Sequence, residues 1–280
     1  MGVPPPSSTT AREPVIEVRS VVQKFGPQTV LNGLDFTVHA GDTFIIMGGS
    51  GCGKSSLLKL LIGARKPTEG SIRVFGEEIT TMGSSDLERI RRRYGMLFQS
   101  GALLQSLTIE ENVALPLVEH TGLPRDLVDT VVKMKLEQVG LTGHGHKKPA
   151  QISGGMKKRA ALARALALDP SLLFSDEPTA GLDPIMTAVV DDLTQKLTLK
   201  IGATAVVVTH DMASVFRIGT QIIMLGTGER QGKIVAQGTP EEIRANPDPV
   251  VQQFIRGEIA PGGDAAAGDL YRETLLSSSP

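Results

Sequence analysis

Two hydrophobic patterns alternate along this chain. In Thr43 to Met47, Leu172 to Ser175 and Ala205 to Val208 nearly every residue is apolar, the pattern of short strands buried on both faces of a sheet. Leu34 to Val38 alternates instead, with Asp35 and Thr37 on one face, and predicts a strand with one side in water. Val15 to Val18 predicts an earlier strand, with turns at Phe25-Gly26-Pro27 and Gly41-Asp42. Lys54 to Gly63 and Pro184 to Leu199 read as helices. Strands at Ile222 to Leu225 and Lys233 to Ala236 follow, then a short helix from Pro240 to Asn246. Between about Phe98 and Lys158 the pattern is helical. Glu110 to Val118, Leu127 to Val139 and Gly154 onward are separated by Pro116, Pro124, Pro149 and several glycines.

Strand–helix alternation with short apolar strands predicts a mainly parallel α/β sheet, and the block at about 98–158 reads as a helical lobe inserted into it. The chain shows no internal repeat. Residues 1–13 are rich in Pro, Ser and Thr and are expected to lack fixed structure. The domain spans 14–256. From about Gly257 a tail at 257–280 is rich in Gly, Ala and Ser, apart from a small apolar patch at Leu270-Tyr271 and Leu275-Leu276.

Composition narrows the class. With 280 residues, 40% apolar and 21% charged, the chain has room for one large soluble domain. A net charge of −1 gives no reason to expect a nucleic-acid partner. No apolar run approaches the roughly 18 residues that span a bilayer, and the N-terminus has no apolar h-region of a secretory signal. Cys52 is the only cysteine, which excludes an intramolecular disulfide and fits a reducing compartment. A soluble, cytosolic protein is expected.

One segment decides the chemistry. Gly48-Gly49-Ser50-Gly51-Cys52-Gly53-Lys54-Ser55 fits G-x-x-x-x-G-K-[ST], directly after an apolar strand and directly before a helix. Glycines let successive backbone N–H groups converge on phosphate oxygens, and the helix that follows adds its positive dipole end. Lys54 is a point charge for the β- and γ-phosphates, the Ser55 hydroxyl is a Mg²⁺ ligand, and Ser56 follows at the loop's end. A second, acidic site supports this. The apolar strand ending in Asp176-Glu177 offers one carboxylate for Mg²⁺ and one to activate water as a general base.

On these residues the chain resembles the ABC-transporter ATPase family from about Val15 to Arg256. Ile152-Ser153-Gly154-Gly155-Met156, followed by Lys157-Lys158-Arg159, looks like the family's signature sequence. There Ser153, Gly154 and Gly155 would serve the γ-phosphate of the opposite subunit's ATP. The resemblance implies a P-loop NTPase (RecA-like) core with a mainly parallel sheet, an N-terminal antiparallel β portion and an inserted helical lobe. It implies ATP and Mg²⁺ as cofactors, with Glu177, His210 and Lys54 catalytic and Ser55, Gln99 and Asp176 around the metal. Gln99 would also report ATP to a partner, Asp183 would lie at the dimer seam, and His210 would contact the γ-phosphate. Phe25 would stack on adenine where the family more often has tyrosine. Met156 stands where the broad family usually has glutamine, and Cys52 inside the loop is a packing residue that oxidation could reach.

The departure at Met156, with Leu97-Phe98-Gln99-Ser100-Gly101-Ala102-Leu103, His120-Thr121-Gly122-Leu123-Pro124, Met134-Lys135-Leu136-Glu137 and Asn246-Pro247-Asp248-Pro249, is similar to the ATPases of Mla-type, MCE-associated phospholipid transporters. That likeness implies a homodimer, a transmembrane permease and an MCE-type lipid-binding protein. It places the chain on the cytoplasmic face of the inner (plasma) membrane. Other readings stay open: the ATPase of another importer or exporter, a non-transport ABC ATPase in a cytosolic assembly, and a module that senses ATP without hydrolysing it. Arg89 and Arg91-Arg92-Arg93 read as a solvated helix end before lipid head-group contact, and His144-Gly145-His146 as a loop before a metal site.

Overall fold

The computed structural model describes residues 12–257. The expected unstructured start at 1–13 and tail at 257–280 fall almost wholly outside those residues, as does the Leu270 to Leu276 patch. Order begins before residue 14. Arg12 pairs with buried Asp42, and the Glu13 carbonyl accepts a hydrogen bond from the Ala40 N–H at 2.9 Å.

The first strands form a long hairpin, β1 (Pro14–Phe25) and β2 (Gln28–His39), paired antiparallel from Phe25↔Gln28 to Pro14↔His39. The strand expected over Val15 to Val18 continues past a bulge. Ser20 sits at φ 47° and the register shifts between Val18 and Val21, so the sequence alternation breaks while the pairing does not. Buried β3 (Thr43–Gly48) leads through the phosphate loop into α1 (Lys54–Leu61). The chain then returns to the first sheet with β4 (Glu69–Val74) and the two-residue β5 (Glu77–Glu78), neither read from the sequence. Helix α2 (Ser84–Arg91) and β6 (Tyr94–Leu97) follow.

Helices α3 (Ile109–His120), α4 (Arg125–Gln138) and α5 (Gly154–Ala165) form the lobe. Pro116, one of the residues expected to separate the helical segments, lies inside α3. Its missing N–H costs one helical hydrogen bond, offset by burial of Ile109, Val113 and Leu117. The rest alternates strand and helix: β7 (Leu172–Asp176), α6 (Pro184–Ile201), β8 (Thr204–Val208), α7 (Met212–Ile218), β9 (Gln221–Leu225), β10 (Ile234–Gly238), α8 (Pro240–Ala245) and α9 (Pro249–Arg256).

Two sheets result. The smaller is antiparallel, in the order β2-β1-β4-β5; the larger runs β10-β9-β3-β8-β7-β6, parallel except for edge strand β10. Period-2 alternation splits the larger sheet between cores. Phe44, Ile46, Val206, Val208, Ile223 and Leu225 face α1 and the small sheet, where Phe36 stacks on Phe44 at 5.3 Å. Ile45, Met47, Ala205, Val207, Ile222 and Met224 face the other way, towards Val215 and Ile218 of α7. A third core, with Leu173 of β7, fills the helical lobe and reaches Leu197 of α6.

A polar network fixes two helices that begin at the site. Buried Asp191 on α6 accepts hydrogen bonds from the Ser214 hydroxyl (2.7 Å) and Arg217 (Nη1, 2.7 Å) on α7. Burial still pushes the Asp191 carboxyl up, against the pull of Ser214 and Arg217. Arg217→Ala is expected to cost about 2–3 kcal/mol in urea unfolding, because it strands a buried carboxylate. Adding Asp191→Asn should recover at least half of that loss.

Candidate functional site

The carboxyl ends of β3, β8, β7 and β6 lie side by side. Ile46 pairs with Val208, Asp176 with Val208, and Leu97 with Ser175. The phosphate loop leaves β3, His210 follows β8, Asp176 and Glu177 end β7, and Gln99 follows β6. An open α/β sheet binds ligands along this edge. The structure therefore brings together the phosphate loop, the acidic pair, His210 and Gln99.

The loop's shape demands its glycines at two points. Gly48, at φ 144°, has no room for a side chain: a Cβ would lie 2.5 Å from the Leu225 carbonyl oxygen and 2.8 Å from Cys52 Sγ. Gly53, at φ 107°, is the N-cap of α1, and a Cβ there would lie 2.6 Å from Leu31. The next residue, Lys54, is a cation at the positive end of a helix whose first turn holds no acid. Such a charge is unfavourable unless an anion joins it. Its ammonium donates to the carbonyls of Gly48 (2.7 Å) and Gly49 (2.9 Å). Gly49 is half-buried, Ser50, Gly51 and Ser55 are exposed, and Ser56 is half-buried. Cys52 is fully buried beneath the loop and burial pushes its thiol up, so oxidation does not reach it readily and it serves packing.

Across the edge, Glu177 and His210 meet, Oε1 and Nδ1 2.8 Å apart. Glu177 adopts a left-handed backbone, φ 47°, held by its N–H donating to the Val208 carbonyl at 2.8 Å. A non-glycine residue in this region costs roughly 1–3 kcal/mol, and here it ties the end of β7 to β8. Burial pushes the neighbouring Asp176 carboxyl up and the charge on Glu177 adds to this, while Lys59 and Lys54 pull it down.

The signature residues stand on the other core. Exposed Ser153 caps α5, its hydroxyl accepting from the Met156 N–H at 3.3 Å. Gly154 is exposed; Gly155 is buried because Met186 packs on it, so closely that a Cβ would lie 2.6 Å from the Met186 methyl. Among the described residues no hydrogen bond joins residues 153–156 to the phosphate loop. Asp183 caps α6, its Oδ1 accepting from the N–H groups of Ile185 and Met186 at 3.0 Å each. The Phe25 ring is exposed and carries the Arg65 guanidinium 4.8 Å from its centroid.

The remaining basic candidates have partners within the fold. Arg89 pairs with Glu77, Arg91 donates to the Ile62 and Gly63 carbonyls, Arg92 pairs with Glu88, and Arg93 lies over the Phe75 ring. The loop bearing His144 and His146 is pinned to the start of α3 through the Gly145 and Lys147 carbonyls. Lys158 escaped the sequence reading as a site residue. It shares a helical face with Gly155 and Leu162, so 3.6-residue periodicity would have marked it as a charge in a core position.

Comparisons with known proteins agree with this geometry. The family description "ABC transporter" matches residues 31–180, more than half of the chain. The intermembrane phospholipid transport system ATP-binding protein MlaF of Escherichia coli (strain K12) is 43% identical over 267 residues, covering 94% of this chain and 97% of MlaF. The probable ribonucleotide transport ATP-binding protein mkl of Mycobacterium tuberculosis is 39% identical, covering 89% of this chain and 68% of mkl. Among solved structures, the dimer of the ATP-binding cassette MJ0796 in a post-hydrolysis state with ADP and Pi superposes with a TM-score of 0.72. It is 31% identical and covers 80% of this chain and 98% of that one. With a phosphate loop, an acidic strand end and these relatives, the chain belongs to the ABC transporter family, as one of its ATP-binding, ATP-hydrolysing subunits.

Proposed function

We propose that this chain hydrolyses ATP to power the movement of phospholipid between envelope membranes. The observation that carries the hydrolytic reading is the Glu177–His210 pair on the sheet edge that bears the phosphate loop. The lipid cargo rests on likeness to MlaF over nearly the whole chain. In this reading Lys54 and the backbone N–H groups of residues 48–56 hold the phosphates. Phe25 packs on adenine, Glu177 takes the proton of the attacking water, and His210 holds Glu177 in line and meets the γ-phosphate. Ser153, Gly154 and Gly155 of a second copy close over the nucleotide, with Asp183 at the seam. That head-to-tail pairing is supported by the separate cores of loop and signature and by the dimeric form of MJ0796.

The residues present fit Mg²⁺. Among the described residues no cluster of three or more His, Cys, Asp or Glu could cage a metal, and Mg²⁺ would rely instead on a few protein oxygens together with substrate phosphates. Ser55, Asp176 and Gln99 offer such oxygens, and the raised carboxyl of Asp176 is one that a cation would relieve. When bound, Mg²⁺ neutralises charge developing on the phosphates.

The pair would sit on the cytoplasmic face of the inner membrane with a transmembrane permease and an MCE-type lipid-binding protein. No helix among the described residues is long and apolar enough to cross a membrane. Likeness to mkl, whose name assigns ribonucleotide transport, keeps a nucleotide cargo as the second reading. Purifying the tagged chain from native membranes in mild detergent, with mass spectrometry of the bound proteins and lipids, separates them. A multi-span permease with an MCE protein and phospholipid supports the first reading. A different permease removes the lipid assignment, and soluble partners alone remove transport.

Two variants test the site. Glu177→Gln should lower kcat by about 10²–10³-fold while ATP binding persists, and size-exclusion chromatography with Mg²⁺-ATP should show a dimer; full turnover by a monomer would sink the mechanism. Asp176→Asn should lower kcat at least about tenfold, yet raise the thermal midpoint of the nucleotide-free protein at pH 8 by about 1–3 °C. A carboxyl with a raised folded-state value destabilises only when ionised. The gain should therefore shrink as pH falls towards the ordinary aspartate value of 3.8.

A further inference from the structure

Lys158 carries a charge in a hydrophobic position. It is 7% exposed, on the face of α5 that also buries Gly155, Leu162 and Ala165. Burying an ammonium costs several kcal/mol unless it finds partners. Burial pushes the lysine down from its usual range, and the charge on Glu177 pulls it back up. Its hydrogen-bond partner is the backbone carbonyl of Gln99.

A second cation of the same helix does parallel work. Arg164 donates through Nη1 to the Ala102 carbonyl at 2.7 Å and through Nη2 to the Gly101 carbonyl at 2.8 Å. Gly101 and Ala102 are left-handed, at φ 74° and 45°. That turn is strained for alanine, and it directs both carbonyls to α5. The loop also lies directly on the helix, since a Cβ on Gly101 would sit 3.3 Å from the Ala161 methyl. Thus α5 binds the carbonyls of residues 99, 101 and 102 with two half-buried or buried cations. The same helix opens with the Ser153 cap and Gly154-Gly155.

We propose that Lys158 is a positioning residue for ATP hydrolysis: it fastens the loop carrying Gln99 to the signature helix, so that the two move as one body. The proposal deepens the proposed function and rests on it for the roles of Gln99 and the signature. Arg164 anchors the far side of the loop. Of the two cations, Lys158 is the one that grips Gln99 itself and stands within electrostatic reach of Glu177. Without it, Gln99 would reach the metal-bound phosphates without carrying α5 along. A misplacement of this kind lowers turnover more than binding.

The full-length chain tests this with Lys158→Met, which keeps the stem and removes the donor, and Lys158→Arg, which keeps a donor. Three quantities are read: Mg²⁺-ATP hydrolysis, thermal midpoint, and hydrogen exchange of the amides in residues 98–103 without nucleotide. Lys158→Met should lower kcat about tenfold with KM changed less than about twofold, and speed exchange in the loop. Its thermal midpoint should stay within about 2 °C, and Lys158→Arg should regain at least half of kcat. In a Gln99→Ala background Lys158→Met should lower kcat no further, since it acts through that loop. Unchanged exchange in residues 98–103 would overturn the proposal even if the wild type proved inactive, an outcome that separately removes the ATPase reading. Unchanged kcat, additive losses with Gln99→Ala, or a general loss of thermal stability that Lys158→Arg fails to rescue would overturn it as well.

Discussion

The phosphate-binding edge exists because four neighbouring strands end on the same side of the sheet, with β3 reaching two residues past the end of β8. β3, β8, β7 and β6 run parallel, and the pairings Ile46↔Val208, Asp176↔Val208 and Leu97↔Ser175 set where each loop leaves the sheet. A slip of one residue would turn Asp176 to the opposite face and bring Ser175 to the strand end. The slip is prevented by the packing of alternate residues into different cores, Phe44 and Ile46 to one side, Ile45 and Met47 to the other. Each such side chain contributes about 1.5–3 kcal/mol by burial. The chemistry of the edge is thus held by apolar residues that never touch nucleotide.

Helix starts supply the polar half of the site. α1 begins at Lys54, α5 at Gly154 and α6 at Pro184, each directly after a residue of the loop, signature or seam, and α7 begins at Met212, two residues after His210. Ser153, Asp183 and Asp211 cap three of them with side-chain oxygens. α1 has only Gly53 in that place, with no side-chain cap. Its first N–H groups are the ones an anion can use.

Much of this was legible in the chain. The apolar runs at Thr43 to Met47, Leu172 to Ser175 and Ala205 to Val208 gave the central strands, since strands buried on both faces need no alternation to be seen. The loop between Gly48 and Lys54 was legible because few other glycine patterns sit between such a strand and a helix. What stayed hidden has physical causes. The bulge at Ser20 disguised half of β1, and Pro116 sits inside a helix that tertiary packing sustains. β4 depends on pairing with β1, distant in sequence, and the two-residue β5 is too short to show any alternation. Lys158 was hidden because a lysine after a signature reads as solvated; its place on the buried face of α5 marks a core position, and its carbonyl partner lies 59 residues earlier.

The helical lobe has its own core. Val113, Val132 and Leu162 pack in a cluster that shares no residue with the one beneath the phosphate loop. Selection can therefore act on each separately. Substitutions that reshape the lobe for a different partner leave the cradle of Gly48 and Gly53 unaltered, so lineages can exchange what the protein drives while inheriting one unchanged engine.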